Sequence, residues 1–199
     1  MAIKKTARQT KNEAHMLAIQ EASFRLFSEY SFAQVTVDDI CTEAGINKST
    51  FYNLYKSKED LLMVATSGSR ISYIREHFQF DDNVPIRELF SRFFVVNYEY
   101  VLQSPREFTR SIYKGYMSTG NIMKGLSNDY TDILYRLIDR AMSEHKIRTC
   151  LSREDNWRII NDSLIGCFVG YAAHIDDEPG LDEQYMRMMY TLAEVFVGE

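Results

Sequence analysis

The chain has 199 residues, 45% hydrophobic and 26% charged, with a net charge of −5, the balance of a globular protein rather than a disordered one. The longest uncharged apolar-rich run, 163–173, is too short to cross a bilayer, and no apolar stretch follows the N-terminal lysines, which argues against a secretory signal. Cys41, Cys150 and Cys167 form no Cys-x-x-Cys pair and read as reduced thiols of a cytoplasmic protein.

Residues 1–11 hold Lys4, Lys5, Arg8 and Lys11 without an acid and read as a flexible basic arm. Residues 1–58 together carry eight Lys/Arg against six Asp/Glu, and the remainder carries fifteen against twenty-two. A mildly basic front thus joins an acidic body. In the first helix Ile19, Ala22, Ser23, Leu26, Phe27 and Tyr30 form one stripe at helical spacing. Thr36 with Asp39 three residues on opens a second, short helix in the manner of a capping box, and Gly45 stops it. Asn47 caps a third helix, and Ser57 with Asp60 caps a fourth.

The remainder reads as longer helices, over about 58–78, 86–103, 105–118 and 122–146. Ser152, with Asp155 at the third position, opens another. The last carries the stripe Leu181, Tyr185, Met188, Met189, Leu192 and Phe196. Proline occurs only at 85, 105 and 179, and period-2 alternation hardly appears. The expected class is all-α, with about nine helices and no sheet.

Residues 36–55 carry the most information. Two short helices separated by a tight turn at Gly45 form a helix-turn-helix pattern, whose second helix lies in the major groove of DNA. Phe51, Leu54 and Tyr55, at i, i+3 and i+4, pack inward. Lys48, Ser49, Tyr52 and Asn53 are left on the outer side, a set suited to phosphates and base edges. Lys58, at the start of the fourth helix, adds a cation and a cluster of backbone N–H groups beside a phosphate path. A solvated surface on an ordinary three-helix unit is the plainer alternative.

The segment "TVDDICTEAGINKSTFYNLYKSKEDLL", with "RLFSEYSF" upstream, resembles the DNA-binding region of TetR-family transcriptional regulators. The resemblance covers roughly residues 12–62. It implies a DNA-binding helix-turn-helix domain over 1–58 and a ligand-binding and dimerisation domain over 59–199. It also implies contacts to double-stranded DNA from Thr36, Asn47, Lys48, Ser49, Thr50, Tyr52, Asn53 and Lys58. Thr36, Tyr52 and Lys58 would mostly hold phosphates, while Lys48, Ser49, Thr50 and Asn53 would face bases. The family often has glycine where Ser31 stands, a helix-ending position favouring left-handed backbone, so Ser31 is expected to be strained or the turn altered. Asn47 and Asn53 stand where Ser and His are frequent, and an asparagine can read adenine through two hydrogen bonds.

For the body, the resemblance implies a homodimer through the helices near 152–173 and 181–198. Gly166 and Gly170 lie four apart in the first of these, where small residues let helices approach closely. It also implies a small-molecule effector in the middle helices, which are rich in aromatics. Tyr98, Tyr113, Tyr116, Met117 and Trp157 are the candidate lining. Each of these can equally be ordinary core. "GYMSTGN" lacks the Lys-Ser/Thr of a phosphate-binding loop, no Gly-x-Ser-x-Gly occurs, and the histidines at 15, 77, 145 and 174 show no i, i+4 pairing. No enzyme, metal or cofactor is expected. The expected function is that of a ligand-responsive repressor, with recruitment of a protein partner through the body as the alternative.

Overall fold

A computed structural model describes residues 6–104, 106–119, 128–147, 150–174 and 178–198. Among them run α1 (Ala7–Glu29), α2 (Val37–Glu43), α3 (Lys48–Leu54), α4 (Lys58–His77), α5 (Ile86–Leu102), α6 (Arg106–Thr119), α7 (Asn128–Ser143), α8 (Arg153–Ala173) and α9 (Leu181–Phe196). The only extended pairing among the described residues is an isolated bridge between Ile147 and Val197. The all-α expectation holds.

The caps explain where the helices start. Thr6 and Gln9 form a capping box that opens α1 at Ala7, so residues 7–11 belong to a helix rather than to a free arm. Residues 1–5 lie outside the described residues. Thr36, Asn47, Ser57 and Ser152 each accept the N–H three residues on. Gly45 ends α2 with φ +65°, and the Ile46 N–H reaches back to Cys41 O at 3.0 Å, a Schellman closure that favours glycine. The first part of the helix expected near 122 falls at 120–127, outside the described residues; α7 is described from Asn128.

At the end of α1 one expectation fails, and of the two offered for Ser31 the altered turn is the one found. Ile19, Ala22 and Ser23 are buried, but Tyr30 is exposed and extended at φ −128°. The chain leaves the helix there, which takes Tyr30 off the stripe. Ser31 is not left-handed, since among the described non-glycine residues only His145 has positive φ. Instead its N–H and hydroxyl both bond Gln34 Oε1, at 3.1 and 2.8 Å. A side-chain-capped turn replaces the glycine.

Burial divides into two cores. The smaller gathers Ile19, Ile40 and Phe51 from the first three helices, Val35 from the loop before α2 and Tyr55 just after α3, with Leu61 and Ala65 of α4. The larger begins at Ile71 and is organised by α5, whose Phe90, Phe93, Phe94 and Tyr98 are fully buried. Helix α4 therefore contributes its first turns to the head and its last turns to the body. Helix α5 packs chiefly on α9, and α6 on α8. Arg110 of α6 donates to Ala172 O and His174 O, both at 2.7 Å, so it caps the C-terminal end of α8, where cations are favoured.

The two α8 glycines differ. A Cβ on Gly170 would stand 2.8 Å from the Tyr185 hydroxyl, whereas Gly166 is exposed with nothing within 4 Å. Close approach at Gly170 thus serves α9 of the same subunit. Alanine in an exposed helix interior gains about 0.5–1 kcal/mol over glycine, and overpacking costs about 1–3 kcal/mol. Urea unfolding should accordingly place Gly166→Ala above the parent in stability, and Gly170→Ala below Gly166→Ala by about 1–2 kcal/mol.

Candidate nucleic-acid interface and effector cavity

Helix α3 is short, and its inner anchors hold it. Phe51 is fully buried, edge-on to Tyr52 (5.4 Å) and tilted against Tyr55 (5.7 Å). The Tyr55 hydroxyl accepts from Gln20 Nε2 of α1 at 3.3 Å, and burial pushes its pKa up. Leu54 is half-buried beside them. With those anchors set, Lys48, Ser49, Tyr52 and Asn53 emerge on the exposed side, Tyr52 with 55% of its surface accessible. Thr50 is half-buried.

Several of these polar groups already have partners. Asn47 Oδ1 accepts from Thr50 N (2.8 Å), Thr50 Oγ1 (2.9 Å) and Ser49 Oγ (2.7 Å). Lys48 Nζ pairs with Asp38 of α2 at 2.7 Å, both side chains well exposed. The Thr36 N–H and hydroxyl donate to Asp39 Oδ2 at 2.8 and 2.6 Å, and the Asp39 N–H returns to Thr36 Oγ1. Tyr52 and Asn53 make no side-chain hydrogen bond among the described residues. Thr36, Asn47 and Lys48 are thus already engaged, while the Asn53 side chain has no hydrogen-bond partner among the described residues.

Lys58, expected to hold a phosphate, is engaged within the protein. Its ammonium donates to Phe32 O and to Val35 O (2.6 Å) and lies 4.2 Å from the centre of the Phe32 ring. It clasps the α1–α2 loop onto α4, and burial lowers its pKa. The signal was in the sequence only as a lysine at the first position of a helix, where its charge opposes the dipole unless something else holds it.

Among the expected effector residues whose side chains are described, only Tyr113 lines the cavity beside α6. That cavity, about 40 Å³, lies between α4, α5 and α6 and is walled by Arg70, Tyr100, Val101, Phe108, Ile112 and Tyr113, with Thr66, Ser67, Ser104 and Thr109 supplying hydroxyls. Tyr98 is instead core, fully buried and stacked near Phe168 and Tyr185 at 6.5 and 6.2 Å, and burial drives its pKa far up. Trp157 packs on Tyr135 at 6.1 Å, away from the cavity. Met117 is 62% exposed and faces outward. The side chain of Tyr116 lies outside the described residues.

Sequence reasoning missed Arg70. It reaches Asn97 Oδ1 at 2.6 Å through Nη2 and 3.1 Å through Nε, and it lies over the Tyr130 ring at 4.6 Å. Asn97 in turn donates to Phe93 O at 2.7 Å. A lone arginine within a helical run gives no motif, and only the fold brings it to α5 and α7. Phe108 extends outward from the cavity wall to Phe27 of α1 (5.9 Å), and Phe27 to Phe32 (5.2 Å). Rings therefore connect the cavity to the loop that Lys58 holds. Among the described residues no helix is long and apolar enough to cross a membrane, and no group of His, Cys, Asp or Glu has a metal-binding arrangement.

Residues 19–64 match the family model of bacterial regulatory proteins of the tetR family. The match falls within the head. The uncharacterised HTH-type transcriptional regulator YerO of Bacillus subtilis is 47% identical over 47 residues, 24% of this chain. That match spans 16% of YerO, so it concerns the head alone. The Thermus thermophilus TetR-family repressor FadR, solved with lauroyl-CoA, superposes with a TM-score of 0.71 at 20% identity, over 90% of this chain and 94% of that one. FadR of Bacillus halodurans does so at 0.59 and 15%, over 96% of each chain. Head and body together thus have the TetR-family fold, and these relatives are regulators rather than enzymes.

The clasp and the capping box each lead to a measurement. Lys58→Met should destabilise the head by about 2 kcal/mol, the scale of losing hydrogen bonds from a charged donor, yet leave the salt slope of DNA binding unchanged. The hydrogen bonds from Thr36 hold the Asp39 carboxyl below its ordinary value of 3.8. Its stabilising effect is therefore present above that value and lost as pH falls through the lower, folded-state value. Thermal melts of Asp39→Asn and the parent should differ at neutral pH and converge in that acid window.

Proposed function

We propose that the chain is a DNA-binding regulator that acts as a homodimer on a pseudo-palindromic operator and represses until a small molecule releases it. The observation that carries this reading is the exposed, polar outer side of α3, held rigidly by Phe51 and Tyr55 within a TetR-family head. Lys48, Ser49, Thr50 and Asn53 are assigned to bases, and Thr36, Asn47 and Tyr52 to the backbone at the edge of the groove. Lys58 acts indirectly, by fixing the loop before α2.

Dimerisation through α8 and α9 is supported by apolar side chains left exposed there: Ile159, Met188, Tyr190 and Val195. Two heads on a two-fold axis then meet two half-sites about one helical turn apart.

The effector is assigned to the cavity beside α6. A volume of about 40 Å³ holds a few waters, so a ligand must displace α6 to enter. The lining pairs the Arg70 cation and hydroxyls with the apolar Val101, Phe108 and Ile112, which favours a molecule with an acidic head and an apolar tail. Displacing Phe108 disturbs Phe27 and Phe32, and with them the seat of Lys58. A tenfold preference of the ligand for the released form weakens the DNA complex by about 1.4 kcal/mol per ligand.

Selection and sequencing of bound DNA fragments tests the reader and the dimer together. It should return two inverted half-sites at a fixed spacing, and a single unpaired site would sink the dimeric reading. In titrations at several salt concentrations, Lys48→Ala should weaken binding with the slope unchanged if the ammonium moves from Asp38 to a base edge, whereas a slope reduced by about one would assign it to a phosphate instead. Tyr52→Ala should lower DNA affinity while leaving the melting temperature nearly unchanged.

A further inference from the structure

Where head and body meet, a cleft of about 180 Å³ opens to the surface. Its head side is made by Phe27 and Phe32 with Tyr30 at the rim, and its body side by Phe108. Glu29, at the end of α1, and Glu107, in the first turn of α6, also line it. Neither carboxylate makes an ion pair or a side-chain hydrogen bond among the described residues. We propose that this cleft binds a small organic cation of the quaternary ammonium type.

The chemistry of the walls selects that class. Aromatic faces carry negative quadrupole potential and attract a weakly hydrated cation, and two unengaged carboxylates add direct attraction. A neutral molecule of the same shape gains only apolar burial, and an anion is repelled. The Phe32 ring already draws one cation, the Lys58 ammonium, at 4.2 Å. That ammonium lies in the adjoining groove, which shares Phe32 and Glu107 with the cleft, and is held there by two carbonyls. Arg110, also in the adjoining groove, is directed to the carbonyls that end α8, and Lys114 lines that groove rather than the cleft.

The cleft is distinct from the internal cavity, which requires displacement of α6, although Phe108 borders both. A guest here touches α1, the loop after it and α6 at once. It would bridge the two units and hold them at their present separation.

The test uses the full chain without DNA, so its outcome is separate from that of the repressor reading. Amide spectra are recorded during titration with choline and with its neutral isostere 3,3-dimethylbutan-1-ol. Choline should shift the amides of residues 29–32 and 107–108 saturably, leave those of Ser67 and Arg70 in place, and bind at least tenfold more tightly than the alcohol. Glu29→Gln combined with Glu107→Gln, both at exposed positions, should weaken choline at least tenfold without loss of spectral dispersion. Equal binding of the alcohol, shifts centred on Arg70, or unchanged affinity in the double variant would each overturn the proposal.

Discussion

The Lys58 ammonium, bonded to Phe32 O and Val35 O, is the interaction on which the relation of head to body depends. It stands at the first residue of α4, which among the described residues is the one helix that enters both cores. An ammonium at a helix start is unfavourable against the helix dipole, and two carbonyls with an aromatic face offset that cost. Because the clasp joins α4 to the loop preceding α2, the orientation of α3 is referred to α4 and not only to α1. A change in the direction of α4 is then passed to α3 as a rigid displacement.

The body places its rigidity elsewhere. Helix α5 is buried along most of its length and carries Asn97, whose amide connects Arg70 of α4 to the backbone of α5 itself. Such a fully surrounded helix cannot tilt without disturbing α9, α4 and α7. Helix α6, by contrast, rests on α4 and α8 and borders the cavity as well as two surface grooves. Motion proposed for the body therefore belongs to α6, with α5 as the fixed reference.

Much of the head could be read from local chemistry. Thr36, Asn47 and Ser57 announce their helices because an N-cap is decided by one side chain and its neighbour three residues on. Phe51 and Tyr55 announce the inner side of α3 by spacing alone. What escaped was decided by partners distant in sequence. Lys58 needed carbonyls 26 and 23 residues away. Arg70 needed Asn97, and Tyr98 became core only when α8 and α9 closed over it. Aromatic density alone cannot separate a cavity wall from a packed interior, since both use the same side chains. Ser31 shows a further limit, where a hydrogen bond to Gln34 substituted for backbone freedom.

The Arg110 cap ties two regions usually considered apart. Its guanidinium leaves α6 and closes the last carbonyls of α8, the helix assigned to the subunit seam. Any ligand that lifts α6 must therefore either stretch those bonds or drag the end of α8 along. In the first case two carbonyls turn to water and the end of α8 frays. In the second the seam shifts. Occupancy of one subunit would then be felt by its twin through the helix terminus, so the two cavities of a dimer need not fill independently.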